Sequence, residues 1–524
     1  MLAIILTILL SFMSSYTVLS RCIDSTGTFP ILSWFIIIPF LSSLLVLVFE
    51  EKFSKWITLI FASIELSVAI VIFQAYDRLK GGFQFVQDIP WLKNFGIHYL
   101  LGVDGISVMM VILTSCVYFS GALVSWSIQN RIKEYFVLFS LLVAGVAGAY
   151  VSLDLFFFFL FYEFAVLPMY LLVGIWGSGK KEYAAMKLTL LLLFGSAFML
   201  VGFLAMYFGS HVHSFDIRVL SQISQTAFSP KFQNIWFPIL FLGFGVISAI
   251  FPFHTWSPDG YGSAPTAASM LHAGVLKTLG GYSILRVAVA CMPEGAKHWL
   301  PWLAILTVIN MIYASLAAMK QTDLKYVAAY SSVAHCGYVL FGICTLQIYG
   351  LDGAVIQMFS HGIVAALTFA SIGVIYGRAH TRELNKLGGL AAVLPIIGGI
   401  FLAGSMANLG LPGLSGFVGE FLIFLGAFKS GFHGGFSIFE ILAPLGLLAI
   451  ILTAIYVLRI VQIVLFGPVK DDHFHEIKDG SFVEILPLMF LLIVSLIIGV
   501  YPKPFIDLVN GPVSTLISHV GGIN

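Results

Sequence analysis

Three charged side chains lie inside long apolar runs of the sequence, where they could carry protons. Glu163 lies in DLFFFFLFYEFAVLPMYLLVGIWG, Lys277 lies in MLHAGVLKTLGGY, and Glu420 precedes FLIFLGAF. An ionisable group at the centre of a membrane helix costs roughly 2.5–3.5 kcal/mol on insertion scales, so such groups are rare and usually functional. Burial disfavours the charged form of each group, which suits it to exchange protons. We therefore predict a proton path that includes these three residues.

Each of the three residues also has a structural interpretation. Glu163 could form an ion pair with a lysine on a neighbouring helix, such as Lys187. Lys277 could extend to the membrane interface, and Glu420 could end a helix among the lipid headgroups. The position of all three inside apolar runs favours the proton path over these alternatives.

Four histidines fall within or at the ends of apolar runs. They are His254, His272, His335 and His361. Histidine titrates near neutral pH and can relay protons, although a lone histidine more often donates to a backbone carbonyl. Gln357, His361 and Thr368 are spaced by four and seven residues, which places them on one face of a helix.

A second polar face lies one apolar run earlier, where Ser331 and His335 are four residues apart. Such faces on neighbouring helices predict a hydrated polar line through the protein. Lys277 and Lys325 are candidate stations along it.

The composition predicts a helical membrane protein. Of the 524 residues, 59% are hydrophobic and 10% are charged, which leaves too little polar surface to cover a soluble globule. The formal net charge of +1 gives no reason to expect a nucleic-acid partner. The cysteines show no C-x-x-C spacing, so we expect no iron–sulfur or zinc site in this chain.

Apolar runs of roughly 20 residues, the length that crosses a bilayer, recur along the whole chain. They lie at about 2–20, 31–49, 56–75, 103–127, 135–151, 154–176, 184–208, 235–253, 264–290, 299–319, 324–345, 350–376, 387–428, 440–466 and 482–501. They predict an all-α, polytopic helical membrane protein with about 14–15 transmembrane helices. Residues 1–20 could be a signal peptide, but no basic segment precedes them, and we favour a retained extra helix.

Proline and glycine interrupt two of these runs, the first at Pro252, Pro258 and Pro265 and the second at Leu411-Pro412-Gly413. Proline removes a backbone donor and clashes with the preceding turn, so each run should form a broken helix. Broken helices at membrane depth are tolerated where protein or a water-filled cavity satisfies the freed backbone groups. A pair of them at corresponding positions predicts two inverted repeats of about five helices each, although proline and glycine are common in membrane helices generally.

This organisation divides the chain into consecutive parts. They are 1–30, an extra N-terminal helix and loop; 31–134, N-terminal helices; 135–291, the first repeat; 299–467, the second repeat; and 468–524, a C-terminal helix and tail. The loops richest in lysine and arginine fall on one side, which the positive-inside rule makes cytoplasmic. They carry Lys52/Lys55, Arg131/Lys133, Lys180/Lys181, Lys320/Lys325, Arg378/Arg382/Lys386 and Lys470/Lys478.

Several runs together resemble one family in order and spacing. They are LLGVDGISVMMVILT (100–114), DLFFFFLFYEFAVLPMYLLVGIWG (154–177), FPFHTWSPDGYGSAPTAASMLHAGVLKTLGGYSILR (251–286), QTDLKYVAAYSSVAHCGYVLFG (321–342), QMFSHG (357–362), YGRAHTREL (376–384) and NLGLPGLSGFVGEFLIFLG (408–426). The chain resembles the antiporter-like membrane subunits of proton-pumping NADH:quinone oxidoreductase, respiratory complex I, most closely the chain M or subunit 4 branch. Glu420 separates this branch from chains L and N and from Mrp-type antiporters, which usually carry lysine there.

The resemblance implies specific roles for the buried charges. Glu163 corresponds to the glutamate of the fifth conserved helix, Lys277 to the central lysine of the eighth, and Glu420 to the exit-side glutamate of the twelfth. Asp104, Asp259, Lys325, His335 and His361 also lie on matching positions, in supporting roles. The residue patterns add Lys187 and Gln357 to the supporting set.

The resemblance also implies that this chain is a subunit of an enzyme and carries no redox chemistry or cofactor itself. NADH, FMN, iron–sulfur clusters and quinone are expected on partner subunits. The expected partners are chains L and N, the small membrane subunits and the lipid bilayer, and the expected location is the bacterial inner membrane. A secondary cation/proton antiporter of the Mrp type is the alternative.

One position departs from the family pattern. The family places a lysine five residues before the proline that corresponds to Pro252, and this sequence has Ile247 there. In the family, that lysine pairs with the glutamate that corresponds to Glu163. Lys277, Lys187 or a histidine such as His254 could substitute for it, the pumping scheme could be modified, or the subunit could be mainly structural. Retention of the three buried charges favours the first two possibilities, since unneeded buried charges cost stability.

Overall fold

Long helices make up the structure, a computed structural model that describes residues 30–431 and 437–521. A bilayer offers no water to backbone N–H and C=O groups, so apolar segments satisfy these groups internally as helices. Eleven helices in the described residues are long and apolar enough to cross a membrane. The helix predicted at residues 2–20 lies outside the described residues.

Most of the long helices follow the predicted apolar runs, and a further helix at Lys503–Val520 lies where the sequence predicted only a tail. In chain order they are α1 (Ile31–Val48), α2 (Ser54–Ala75), α3 (Gly105–Val124), α4 (Ile132–Val151), α5 (Leu155–Trp176), α6 (Lys181–Gly209), α7 (Ile217–Gln222), α8 (Ser224–Ala227), α9 (Pro230–Ile247), α10 (Trp256–Ser263), α11 (Thr266–Leu271), α12 (Thr278–Ser283), α13 (Pro293–Lys320), α14 (Leu324–Cys344), α15 (Ile348–Ala379), α16 (Leu390–Val393), α17 (Pro395–Asn408), α18 (Ser415–Gly431), α19 (Phe439–Leu465), α20 (Phe482–Val500) and α21 (Lys503–Val520). Short 3-10 turns and one strand pair join them.

Three further segments of the described residues are interrupted helices. Residues 248–255 separate α9 from α10, and residues 409–414 separate α17 from α18, so both predicted breaks are confirmed. π-helical stretches at His272–Leu276 and Ile284–Val289 flank α12, which makes one irregular helix of α11, α12 and these stretches. The all-α polytopic architecture is thus confirmed.

The two breaks fall at equivalent places in the order of helices. Counted from α4 and from α13, the fourth crossing is the broken one in each case. The second crossing of each set begins with an aspartate N-cap that also takes part in a β-bridge, Asp154 with Asp216 and Asp323 with Glu383. This correspondence supports the five-helix repeats, whose boundaries stay predictions.

One antiparallel hairpin among the described residues lies between α2 and α3, in the gap between two predicted apolar runs. Strand β1 (Gln84–Leu92) pairs with β2 (Ile97–Val103). Gly96 turns the chain between them with φ 61°, a conformation that glycine adopts without a Cβ clash. Strand β2 leads into Asp104, whose side chain caps α3, so the hairpin is tied to a buried helix.

Candidate functional site

The irregular helix of α11 and α12 buries Lys277 against the first broken helix. Lys277 directly follows the π-helical stretch His272–Leu276 and is fully buried. Its Nζ lies 3.3 Å from Oγ of Ser257 on α10 and 3.3 Å from Oγ of Ser332 on α14. The ammonium also lies 5.6 Å from the centre of the Tyr261 ring. Because π-bulges occur frequently at functional sites, this irregular segment is where a functional lysine is expected.

Ser332 connects Lys277 to a pair of histidines. Its Oγ lies 2.9 Å from Nε2 of His361 on α15, so one hydroxyl contacts both the ammonium and an imidazole. The His361 ring stacks on the ring of His335, with 5.3 Å between their centres. A hydroxyl or a neutral imidazole can accept one proton and donate another, so these side chains can pass protons on.

Glu420 completes this series on α18, just after the second break. Its Oε1 lies 3.4 Å from Nδ1 of His335 and 3.4 Å from Nε2 of Gln357. The same Gln357 nitrogen lies 3.4 Å from Nδ1 of His335, so the three side chains form a triangle. Gly410, with φ 79°, lets the backbone of the break approach the carboxylate, since a Cβ there would lie 2.8 Å from Oε2 of Glu420.

These contacts form a continuous series between the two broken helices, which we name the polar line. Its members are Lys277, Ser332, His361, His335, Gln357 and Glu420. All six are buried. The structure thus brings together five of the residues predicted from the sequence and adds Ser332.

The spacing in the sequence predicted a role for Ser331, but its neighbour Ser332 is the serine on the polar line. Ser331 instead contacts Oη of Tyr456 at 2.8 Å and accepts a hydrogen bond from Asn408 at 2.9 Å. Thr368 also lies off the line and donates to the carbonyl of Val364. Adjacent helical residues point about 100° apart, so the choice between two neighbouring serines depends on the exact orientation of the helix. The missed signal is the three-residue spacing from Ser332 to His335, which also places two side chains on one face.

Glu163 lies midway along α5 and forms no ion pair with the described residues. Its Oε1 is buried and has no hydrogen-bond partner among them. The hydroxyl of Ser196 on α6 interacts with the carboxyl. Glu163 therefore lies in the predicted apolar setting. Among the described residues, it makes no hydrogen bond or ion pair with a member of the polar line.

Ile247 ends α9 and is fully buried. Helices α6 and α9 pack closely here, since a Cβ on Gly195 would lie 3.0 Å from the carbonyl oxygen of Gly243 and 3.0 Å from Cβ of Val246. The apolar side chain of Ile247 thus occupies the position of the family lysine. Its helix, α9, packs against α6, which carries Ser196.

Lys187 belongs to a different ion pair from the one suggested for Glu163. Its Nζ donates to Oδ2 of Asp259 on α10 at 2.7 Å. Lys187 also precedes Ser196 by nine residues, about 13 Å along α6, which separates it from the carboxyl of Glu163. The alternative of a Glu163–Lys187 pair is therefore wrong in this structure, because the lysine is bound to Asp259.

Two predicted path histidines lie away from the polar line. His272 packs against Trp256 and Tyr261, with ring centres 5.3 Å and 5.1 Å apart. His254 packs against Tyr313 at 5.0 Å. The ring nitrogens of both histidines have no hydrogen-bond partner among the described residues. Their role as relays stays a prediction.

Lys325 and Asp104 hold the ends of helices near the site. Nζ of Lys325 donates to the carbonyl of Ala264, which ends α10. Asp104 accepts two backbone N–H groups at the start of α3 and forms a buried ion pair with Arg286 in the second π-helical stretch. Both residues therefore support the segments that flank Lys277, and neither contacts the polar line.

The segment that contains this site matches a known family of membrane proteins. Residues 152–446, which include the whole polar line, match the family described as "NADH:quinone oxidoreductase/Mrp antiporter, TM". "NADH-quinone oxidoreductase subunit M" of Rickettsia conorii is 36% identical over 504 residues, which cover 93% of this chain and 99% of that protein. The chain belongs to this NADH:quinone oxidoreductase/Mrp antiporter family. The resemblance noted from the sequence is confirmed.

Solved structures show that this family member shares its fold with chains of two complexes. A chain of "Respiratory complex I from Thermus thermophilus with bound NADH" is similar with a TM-score of 0.84 and 24% identity, over 94% of this chain and 100% of that chain. A chain of the Mrp complex from Dietzia sp. DQ12-45-1b is similar with a TM-score of 0.80 and 20% identity, over the same shares. At these identities the likeness concerns the fold alone, and the function is argued from the site.

Proposed function

We propose that this chain is a proton-translocating membrane subunit of NADH:quinone oxidoreductase, complex I, and that it occupies the place of subunit M. The polar line carries this proposal, because it joins the two broken helices through buried groups that can each hold or pass a proton. The chain takes part in the enzyme without redox chemistry of its own. NADH, FMN, iron–sulfur clusters and quinone belong to partner subunits.

Proton movement along the line follows from the contacts. Lys277 donates a proton to Ser332, whose hydroxyl passes its own proton to Nε2 of His361. The imidazoles of His361 and His335 are stacked with 5.3 Å between their centres and share no hydrogen bond, so we propose that a water molecule carries the proton between them. His335 then delivers a proton to the carboxylate of Glu420. For the line to return to its starting state, Lys277 takes up a new proton from the side of the first break and Glu420 releases its proton at the second break. Each station then gains one proton and loses one in a cycle.

The absence of a lysine at Ile247 gives the Lys187–Asp259 pair a central place in this proposal. The pair joins α6, which carries the Ser196 neighbour of Glu163, to α10, which carries the Ser257 contact of Lys277. Opening the pair frees a positive charge close to the first break, which shifts the proton affinity of Lys277 through the weakly screened interior. The pair thereby replaces the switchable ion pair that the family builds with its lysine.

The proposed partners are other membrane subunits of complex I, namely chains L and N and the small membrane subunits. The proposed location is the bacterial inner membrane, where the chain is multi-pass. The Mrp-type antiporter is the competing function, and the shared fold leaves it open to test. Glu420 favours the complex I subunit, since the resemblance places lysine at this position in Mrp-type chains.

The test uses three variants in the assembled complex, Glu163→Gln, Lys277→Ala and Glu420→Gln. NADH oxidation and proton pumping are measured in sealed vesicles, with Glu294→Gln, in an exposed ion pair with Lys297, as the control. We expect each of the three to lower pumping while the control leaves it unchanged. Normal pumping and assembly in all three would refute the path, and sodium-dependent exchange by the chain would favour the antiporter.

Ile247→Lys tests whether the missing cation limits this subunit. In the parent, the new lysine can pair with Glu163, so we expect pumping to be kept or raised. In the Glu163→Gln background the same lysine has no carboxylate there, and a buried unpaired charge strongly destabilises a protein. Equal stability effects of Ile247→Lys in both backgrounds would show that the two side chains do not meet.

A further inference from the structure

The first four helices contain a buried carboxyl that has no part in the proposed path. Glu65 lies on α2 and is 0% exposed. Neither of its oxygens has a hydrogen-bond partner among the described residues. Helix α2 packs against α1, α3 and α4, and none of these helices carries a member of the polar line.

Two hydroxyl side chains share the helix face of Glu65. Ser54, Thr58 and Glu65 are spaced by four and seven residues, so their side chains lie one above another. Both hydroxyls are fully buried and have no hydrogen-bond partner among the described residues. Ser67, on the opposite face, donates instead to the carbonyl of Ser63.

The neighbouring helices add hydroxyl groups at the same depth. Oη of Tyr118 on α3 lies 2.9 Å from Oγ of Ser140 on α4, which lies 3.3 Å from Oγ of Ser42 on α1. Tyr118 is close enough to Glu65 for their charges to interact. Helix α1 carries no titratable side chain. On α4, Tyr135 is bonded to Ser125 and Tyr150 donates to the carbonyl of Val275, while Lys133 donates to the carbonyl of Leu47 and Glu134 pairs with Arg131 at the start of the helix. Cys116 of α3 lies two residues before Tyr118 and therefore on another face of that helix. Tyr118 is thus the titratable group that faces Glu65.

Ser54, Thr58 and Glu65 form a column of polar side chains along α2. This column begins at the lysine-rich side of the protein. Ser54 is the first residue of α2 and follows Lys52 closely. Lys55 donates to the carbonyl of Trp126 at 2.8 Å, which fixes its ammonium group beside the end of α3. Glu65 lies eleven residues after Ser54, about 16 Å further along α2.

Buried polar groups without protein partners are usually satisfied by ordered water. Four such atoms in one column, the hydroxyls of Ser54 and Thr58 and both oxygens of Glu65, therefore point to a file of water molecules. The geometry points to a water-filled inlet from the lysine-rich side that ends at Glu65, which takes up and holds a proton. This site is separate from the polar line, so it stands or falls independently of the proposed function.

Infrared spectroscopy of the assembled complex in H₂O and D₂O tests this inference. A protonated Glu65 gives a carboxylic C=O band that is absent in Glu65→Gln and shifts in D₂O as water exchanges the proton. Thr58→Val keeps the shape of the side chain and removes the hydroxyl. We expect it to keep the band and slow the D₂O shift about tenfold, the effect of one lost hydrogen bond. Ser67→Ala, on the opposite face, should leave both band and rate unchanged.

Three results would overturn the inlet. The first is a spectrum in which parent and Glu65→Gln show the same carboxylic bands. The second is an ionised carboxylate band lost in Glu65→Gln, which would mean that Glu65 binds a cation. The third is a D₂O shift that is equally fast in Thr58→Val and Ser67→Ala. This comparison remains measurable even if Glu65→Gln fails to assemble.

Discussion

Nδ1 of His335 lies 3.4 Å from Oε1 of Glu420, so an imidazole and a carboxylate meet where the polar line reaches the second broken helix. Both side chains are buried, at 2% and 7% exposure. The imidazole can donate to the carboxylate across this distance, so the two side chains can share one proton. The line therefore ends at a pair that holds an arriving proton until it can leave.

Ser332→Ala should interrupt the polar line between Lys277 and His361. The variant removes the one hydroxyl that contacts both Lys277 and His361. A hydrogen bond to a charged group contributes roughly 1.5–3 kcal/mol, so we expect pumping to fall about tenfold or more. The measurement is proton uptake in sealed vesicles during NADH oxidation.

Ser331→Ala is the matched control for this prediction. The neighbouring serine bonds to Tyr456 and Asn408 and does not touch the line. Its loss should leave pumping near the parent level, whereas Ser332→Thr, which keeps a hydroxyl, should recover part of it. Equal pumping in Ser331→Ala and Ser332→Ala would show that the line does not run through Ser332.

The sequence predicted the helices and both breaks because the physics behind them is local. A bilayer forces apolar runs into helices. Pro252 and Pro412 lie among further prolines and glycines, and these clusters break the helices, whereas the single prolines Pro168 and Pro238 lie within continuous helices. Buried charges such as Lys277 were also recognisable, because their cost in lipid is high wherever they point.

Pairings between helices could not be predicted in the same way, because they depend on how each helix is rotated. The spacing that placed Ser331 with His335 was correct in period, but the helix is turned so that Ser332 faces Lys277. By charge alone, Lys187 could form an ion pair with Glu163. The position of α10 instead places Asp259 beside Lys187, and these two residues form the ion pair. The sequence carries little information on such rotations.

The Lys187–Asp259 pair should show strong coupling in a double-mutant cycle. The two side chains are 23% and 29% exposed, between a surface pair and a buried one. Either Lys187→Met or Asp259→Asn alone leaves a poorly solvated charge and should cost about 1–3 kcal/mol of stability. The double variant should cost less than the sum of the two single variants.

Unfolding can be followed with a thiol-reactive dye in a Cys22→Ser background, since the other four cysteines are buried in the folded chain. The control is Lys297→Met, in an exposed pair with Glu294, which should cost less than about 1 kcal/mol. Additive effects of Lys187→Met and Asp259→Asn would argue against an ion pair that matters energetically.

Asp154, at the start of α5, should make stability depend on pH. Burial, together with the charge of Asp216, raises the pKa of Asp154 from 3.8 to about 6. Because the folded chain binds this proton more tightly than the unfolded chain, this residue's contribution to stability falls as pH rises from about 4 to about 7. The full loss is about 3 kcal/mol.

Asp154→Asn keeps an oxygen for the N–H groups of Phe156 and Phe157 and removes the charge. Its melting temperature relative to the parent should therefore rise between pH 5 and pH 7, by about 1 °C for a chain of this length. The same dye assay at both pH values makes the comparison. A difference that does not change with pH would mean that Asp154 ionises without cost.

Asp104 combines two structural tasks, and two substitutions separate them. Its carboxylate caps α3 and forms the buried ion pair with Arg286. Asp104→Asn keeps a capping oxygen but leaves Arg286 without its counter-charge, whereas Asp104→Ala loses both. We expect Asp104→Ala to be less stable than Asp104→Asn by about 1 kcal/mol, the contribution of an N-cap.

Both variants should also lower assembly of the complex by more than they lower pumping per assembled complex, because Asp104 does not touch the polar line. Thermal unfolding in the dye assay gives the order of stability, and pumping normalised to the amount of assembled complex separates the two effects. If Asp104→Asn assembles normally but no longer pumps, then Asp104 acts on proton movement itself, and its ion pair with Arg286 belongs to the path rather than to its support.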